Sequence, residues 1–424
     1  MTAVSTRPKK RTSTRAPAAK RSKSQGARPP AQGFVLLFAV VVVLNLVGLV
    51  MVLSASSVTA LHQEGTSYYY FERQLMWLGI GSVAFVLMLR MNLQRLRLLA
   101  WPLLIGTLGL LLVVLLPGVG SNVNGSSRWL GVGMFSIQPS EFGKLAMLVF
   151  GADLLARRSA WIHDTRVTLR PVMAAFCAMA LLIMLQPNLG TTIVIASITF
   201  SILFVSGVPL RPLVGWGAAG TGAACVAAMG QSYRRARILA FLHPWNDPLN
   251  TGYQTIQAQV SVASGGLFGL GLGASRAKWG FLPYAHTDFI FAIICEELGI
   301  VGGLTVVGLF VLLGYLGVRA GLQCADPFGR LLAIGITTWL CVQAFVNIGA
   351  VIGVLPITGV PLPFISFGGS SLLATMAASG ILLNVARSSG NLQPARSRKA
   401  TCLGGPTKDR PSLHGGDFAR PACT

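Results

Sequence analysis

Asp288 stands beside His286 and Thr287 at the start of a strongly apolar stretch, and Glu296 and Glu297 follow about two helical turns further in. The chain has only 12 acidic residues, and three of them gather in this short segment. An ionised carboxylate at the edge of hydrocarbon is costly, which makes it a functional-site candidate. Asp is favoured at a helix N-cap, where capping amides would keep it ionised and fix its direction. A general base needs that charge state and that aim. Asp288 is therefore the candidate catalytic base, with His286 and Thr287 as substrate-side neighbours. Glu296 and Glu297 read as interhelical polar contacts.

A second constellation runs through Gln138, Pro139, Ser140, Glu141 and Lys144. Pro suits the first turn of a helix, and a Ser near it can cap free amides. Glu141 and Lys144 are three apart and share a helix face. This is either a cap with an interface ion pair or an acid–base pair at the floor of a cavity. The cost of a Lys inside a membrane span favours the latter.

Arg128 and Trp129 follow a Gly/Asn/Ser turn. The Trp is either an interfacial anchor or a pocket wall, and the planar Arg fork suits phosphate. Gln186, Pro187 and Asn188 make a polar link between two apolar runs, a turn whose side chains could line a pocket. Residues 358–371 hold Thr358, Gly359, Pro361, Pro363, Ser366 and Ser370. Irregular backbone at membrane depth is tolerated only where it is buried or lines a cavity. The glycine-rich run 264–275 is a weak match to a phosphate cradle. No Gly-Lys-Ser/Thr follows it, so close packing or a re-entrant segment is the simpler reading. Residues 245–257 suit an amphipathic stretch on a membrane surface.

These residues need elements to hold them, and the composition says which. The chain is 53% apolar and 11% charged, with mean hydropathy +0.65, against about 25% charged in a soluble domain. An all-α integral membrane fold follows, a polytopic bundle of about ten spans. They fall roughly at 34–53, 74–91, 98–116, 141–155, 171–185, 191–208, 213–229, 289–318, 331–354 and 365–386. The net charge of +22 sits mainly in two tails and in alternate short loops. That pattern orients a protein in a bilayer and argues against nucleic acid. It places both termini in the cytoplasm and the polar strings on the outer face. The exception is the long segment 231–287 between spans 7 and 8, which is basic (Arg237 and Lys278 among others) yet external by parity. It is expected to meet an anion.

Residues 1–32 and 388–424 are expected as disordered cytoplasmic tails, the first basic and drawn to anionic headgroups. Residues 33–387 form one membrane domain. No signal peptide is expected. The seven cysteines fall in apolar spans or on the inferred cytoplasmic side, so neither a disulfide nor a zinc site is expected.

Several strings together resemble the SEDS family of bacterial membrane proteins, which includes FtsW and RodA. They are Asn124-Gly125 with Arg128-Trp129; Gln138-Pro139-Ser140-Glu141 with Lys144; Gln186-Pro187-Asn188-Leu189-Gly190; Phe281-Leu282-Pro283 with His286-Thr287-Asp288-Phe289; Glu296-Glu297; and Pro363 to Ser371. Asn347 before Thr358-Gly359 looks closer to the division branch. The resemblance implies a peptidoglycan glycosyltransferase that polymerises lipid II, a disaccharide-peptide on undecaprenyl diphosphate, at the septum of the bacterial inner membrane. Asp288 would deprotonate the acceptor hydroxyl, and Lys144, Arg128, Arg237 or Lys278 would meet the charge of the leaving diphosphate. Glu141 would position Lys144, and Trp129 would shape the sugar pocket. The resemblance also implies a class B penicillin-binding transpeptidase and other division proteins as partners, and a divalent cation (Mg or Mn) as a candidate cofactor. Tyr284 stands where the family usually has Glu, which weighs against a metal held by two carboxylates. A flippase for the lipid-linked precursor and a catalytically impaired scaffold of the division or elongation machinery are the competing readings.

Overall fold

The computed structural model describes residues 32–117, 120–123, 126–132, 135–230 and 232–390. The two predicted tails otherwise lie outside the described residues. The chain opens with α1 (Gln32–Glu64), α2 (Tyr69–Arg90), α3 (Leu93–Leu98) and α4 (Ala100–Leu115). A small antiparallel sheet follows, β1 (Ser121–Val123), β2 (Ser126–Val132) and β3 (Phe135–Ile137), with β2 in the middle. Then come α5 (Pro139–Arg157), α6 (Leu169–Leu185), α7 (Leu189–Ser206), α8 (Leu210–Met229), α9 (Ser232–Leu242) and α10 (Tyr253–Ser264). The last three helices are α11 (Ile290–Gln323), α12 (Pro327–Val351) and α13 (Gly369–Gly390).

Each of the ten predicted spans falls on a helix. Among the described residues, α1, α2, α7, α11, α12 and α13 are long and apolar enough to cross a membrane, while α4 and α6 are apolar but shorter. The sheet was not predicted and qualifies the all-α expectation. It matters because β2 carries Arg128 and Trp129 and β3 leads into Gln138.

The helices approach closely where a side chain is missing. A Cβ at Gly369 would lie 2.2 Å from the Trp77 ring, and one at Gly380 would lie 2.4 Å from the Phe85 carbonyl, so α13 seats directly on α2. In α5 the buried residues include Glu141, Lys144 and Asp153, which explains why each charge is paired. At its far end Asp153 accepts from Arg157 at 2.8 Å and meets Arg97 at 3.7 Å. Arg97 also lies 3.9 Å from Asp326, so three of the predicted basic loops meet at that end.

Helix α11 is broken at Gly299, whose φ is 70°. The glycine-rich run fills the break. The amides of Leu270 and Gly271 donate to the carbonyls of Glu296 and Glu297 at 3.0 Å each, and the amides of Ile300 and Val301 donate to Gly266 and Leu267 at 2.9 and 3.2 Å. Of the two readings of this run, close packing is the one its geometry supports.

Candidate active site

Helix α12 carries the polar spine of the site. Lys144 donates to Glu141 Oε2 at 2.7 Å and to Gln343 Oε1 at 2.8 Å, and Trp339 Nε1 donates to the same amide oxygen at 2.7 Å. The Lys144 ammonium lies 5.0 Å from the centre of the Trp339 ring. The Gln343 amide then donates to the carbonyl of Pro361 at 2.8 Å. One helical turn on, Asn347 donates to the carbonyls of Asp288 at 2.9 Å and Val360 at 2.8 Å. Two amides on one face of α12 thus tie the α5 ion pair to the loop 352–368 and to Asp288. Sequence reading passed over Gln343 and Trp339 and used Asn347 only as a branch marker. The available signal was a Gln and an Asn four residues apart in an apolar span.

Asp288 is half-buried at the mouth of α11. The expected cap falls one residue on: the N-cap is Phe289. The Asp288 amide donates instead to the Tyr284 carbonyl at 3.2 Å, part of a turn that also takes the Thr287 amide and hydroxyl. Oδ2 of Asp288 lies 3.7 Å from where a Cβ on Gly359 would stand, and Gly359 has φ +69°. A side chain there would be strained by that φ and would touch the carboxylate at ordinary van der Waals distance. Beside it, His286 stacks against Tyr70 at 4.6 Å and Phe367 at 5.8 Å between ring centres. Burial pushes the His286 imidazole down to about 4, so it is neutral at pH 7.

The remaining candidates hold the frame. Arg128 donates from Nε to the Gln186 carbonyl at 2.7 Å and from Nη2 to the Pro187 carbonyl at 2.8 Å. Asn188 caps α7 by accepting from the Thr191 amide at 3.2 Å. Gly190 packs against Thr358 and Val360, which brings the Arg128 clamp, this turn and the Asp288 loop into one assembly. Ser366 accepts from the Leu362 amide at 2.8 Å. Pro139 occupies the first turn of α5 as predicted, but Ser140 is no cap. Its buried hydroxyl has no hydrogen-bond partner among the described residues, as is true of Ser370 Oγ, Gln186 Oε1 and Asn347 Oδ1. Such buried polar atoms need an explanation, and a water or ligand is the usual one. Gln138 is the N-cap residue of α5 without a side-chain bond, and Trp129 is half-buried on β2.

Lys278 is buried at the glycine-rich run. It donates to the Gly273 carbonyl at 2.5 Å and lies 3.6 Å from Glu297, which also accepts from Ser54 of α1 at 2.6 and 2.7 Å. Glu296 accepts from Ser275 Oγ at 2.6 Å and the Arg276 amide at 2.8 Å. Both glutamates are contacts between elements, as expected. Arg237 lies on α9, and its side chain is outside the described residues.

Residues 34–391 match a family described as "Cell cycle protein", that of FtsW, RodA and SpoVE. The chain belongs to this family. It is 44% identical over 358 residues to the probable peptidoglycan glycosyltransferase FtsW of Mycobacterium tuberculosis, covering 84% of this chain and 68% of that one. It is 42% identical over 352 residues to the stage V sporulation protein E of Bacillus subtilis, covering 83% and 96%. Among solved structures, a peptidoglycan synthase complex, reported for its coordination of polymerization and crosslinking, matches with TM-score 0.68 at 32% identity over 85% of this chain and 98% of that one. The Thermus thermophilus rod shape determining protein RodA matches with TM-score 0.62 at 30% identity, covering 85% and 97%. These matches confirm the SEDS expectation and the polytopic helical fold. For the divalent cation that the resemblance implied, no three His, Cys, Asp or Glu side chains come together as ligands among the described residues.

Proposed function

We infer that this chain is a cell-division peptidoglycan glycosyltransferase, and we propose that Asp288 is its general base. The family and the FtsW relatives support the activity. The observation that carries the base assignment is the double hold of Asn347 on Asp288 and on the loop beside it. That hold fixes the backbone beneath a half-buried carboxylate at the mouth of the helix. The end of the bundle that bears Asp288 faces the cell exterior, the termini lie inside, and the enzyme works at the septum.

The substrate is lipid II, on both the donor and the acceptor side. Asp288 takes the proton of the acceptor sugar's 4-hydroxyl. The oxygen attacks the donor's anomeric carbon with inversion, the new glycosidic bond forms, and the bond to phosphate breaks. Undecaprenyl diphosphate leaves as the anion. Lys144, positioned by Glu141 and Gln343, is the cation assigned to that charge, since preorganised charge at a developing anion is the usual large term. Two of its three ammonium hydrogens have oxygen partners here. Arg128 shapes the wall by clamping the 186–187 turn. A class B penicillin-binding transpeptidase crosslinks the product, and other division proteins recruit the pair.

The test is polymerisation of lipid II by the purified full chain in detergent. Wild type is expected to form glycan polymer, and Asp288→Asn to form none while melting normally. Polymer from Asp288→Asn at the wild-type rate would reject the base assignment. Absence of polymer from wild type would favour a flippase or a scaffold, because flipping is invisible without a bilayer.

A further inference from the structure

A cavity of about 320 Å³ opens between α9, α10 and the two loops that meet at Asp288. It lies at the lower end of the range of small-ligand pockets, roughly 300–1,000 Å³. Pro283, five residues before Asp288, forms one wall, and Ile357, two residues before Gly359, forms another. The cavity therefore shares both loops with the carboxylate. Its polar lining is Asn250, Thr251, Tyr253, Gln254 and Thr255. Thr255 is 95% buried (5% exposed), and its hydroxyl makes no hydrogen bond among the described residues. A buried hydroxyl that borders a cavity and lacks a partner points to a ligand that supplies one.

The rim is organised rather than loose. Asp247 accepts from the Asn250 amide at 3.0 Å and from the Thr251 amide and hydroxyl at 3.2 and 3.1 Å. These bonds, that from the Thr251 amide first, hold the Asp247 carboxyl below its ordinary range, so it stays an acceptor and keeps the rim in place. Among the described residues no charged side chain lines the cavity. Amide, hydroxyl and phenol groups set among Pro, Leu and Ile suit a neutral, hydroxyl-rich ring with one apolar face.

We propose that this cavity is a saccharide subsite, holding a sugar of the glycan strand next to the one that reacts at Asp288. This rests on the glycosyltransferase reading. The subsite would keep the strand in register between additions, so its loss shortens the polymer more than it slows the first bond.

The probe is a lipid-free tetrasaccharide of the glycan repeat, titrated into the full chain in detergent and followed by ligand-observed NMR. Wild type and Asp288→Asn are expected to bind it alike. Gln254→Ala and Thr255→Val are each expected to bind it about fivefold more weakly, the scale of one hydrogen bond. Thr255→Ser keeps the hydroxyl and should bind as wild type. Gln254 is half-exposed, so its truncation leaves folding intact. In the polymerisation assay both weakening variants should give shorter products. No binding by wild type, or equal binding by wild type, Gln254→Ala and Thr255→Val, overturns the proposal. Binding that depends on Gln254 in a protein that makes no polymer would leave the subsite standing and reject the enzymatic reading.

Discussion

Asn347 donates one amide hydrogen to the main-chain carbonyl of Asp288 at 2.9 Å and the other to that of Val360 at 2.8 Å. Position, not charge, is what this residue supplies. Asn347→Leu leaves both carbonyls without their partner and lets the Asp288 turn drift. A misplacement of about 1 Å can cost about 100-fold in rate. The expected result is a fall of that order in kcat with KM for lipid II little changed and the helical fold retained. Initial rates in detergent check it; a loss of less than about twofold would mean that Asp288 is held by other contacts.

The ion pair below it makes a different prediction. Lys144 and Glu141 are 1% and 2% exposed, so neither charge has water to turn to. Lys144→Met leaves Glu141 buried and unpaired, which costs about 3–5 kcal/mol. Combining it with Glu141→Gln removes the orphan charge and should restore much of the thermal stability. Polymerisation should stay lost in the double variant if Lys144 meets the diphosphate. Recovery of both melting temperature and product would make the pair a structural element alone.

The sequence exposed the spans and most of the polar strings because apolar runs of span length and buried charges are strong local signals. The Glu141–Lys144 contact follows from helical spacing alone. Asp288 stood out through the cost of its setting. What stayed hidden depends on tertiary packing. Lys278, expected among the cations for phosphate, lies 3.6 Å from Glu297, nineteen positions on in the chain. Ser140 looked like a cap and is buried without a partner. Arg128 looked like a phosphate fork and clamps two carbonyls across to the 186–187 turn. The sheet was missed although Asn124-Gly125 is a hairpin-type dipeptide between its first two strands, because strands of three residues give little alternation to read.

His286 predicts a pH dependence of stability. Its pKa is about 4 in the folded chain against about 6.5 unfolded, so the unfolded chain binds the proton first. The stabilisation is fully present above about pH 6.5 and is lost as pH falls toward 4. His286→Phe keeps an aromatic ring between Tyr70 and Phe367 and cannot titrate. The variant should therefore gain on wild type in Tm between pH 7.5 and pH 5, as measured by melting in detergent at both values. A constant difference would show that folding does not shift the His286 pKa. The rate profile should likewise carry no limb near 6.5 from this residue.

The strap in the α11 break sets the last expectation. Gly269 has φ +80°, and a Cβ there would stand 2.1 Å from the Glu297 carbonyl. Gly269→Ala must therefore lift the strap off the helix, breaking the bonds from Leu270 and Gly271 to Glu296 and Glu297. The strap leads through Ser275, Arg276 and Lys278 into the Asp288 turn, so its release should lower the order of that whole approach. Glu297→Gln is a gentler cut: it keeps acceptor oxygen and amide for Ser54 but removes the counter-charge of buried Lys278. At 3.6 Å that loss should fall toward the lower end of about 3–5 kcal/mol. Limited proteolysis of the full chain should cut between residues 264 and 280 in Gly269→Ala, weakly in Glu297→Gln and not in wild type, with polymer yield falling in the same order. If Gly269→Ala resists protease and polymerises like wild type, the strap does not position the site.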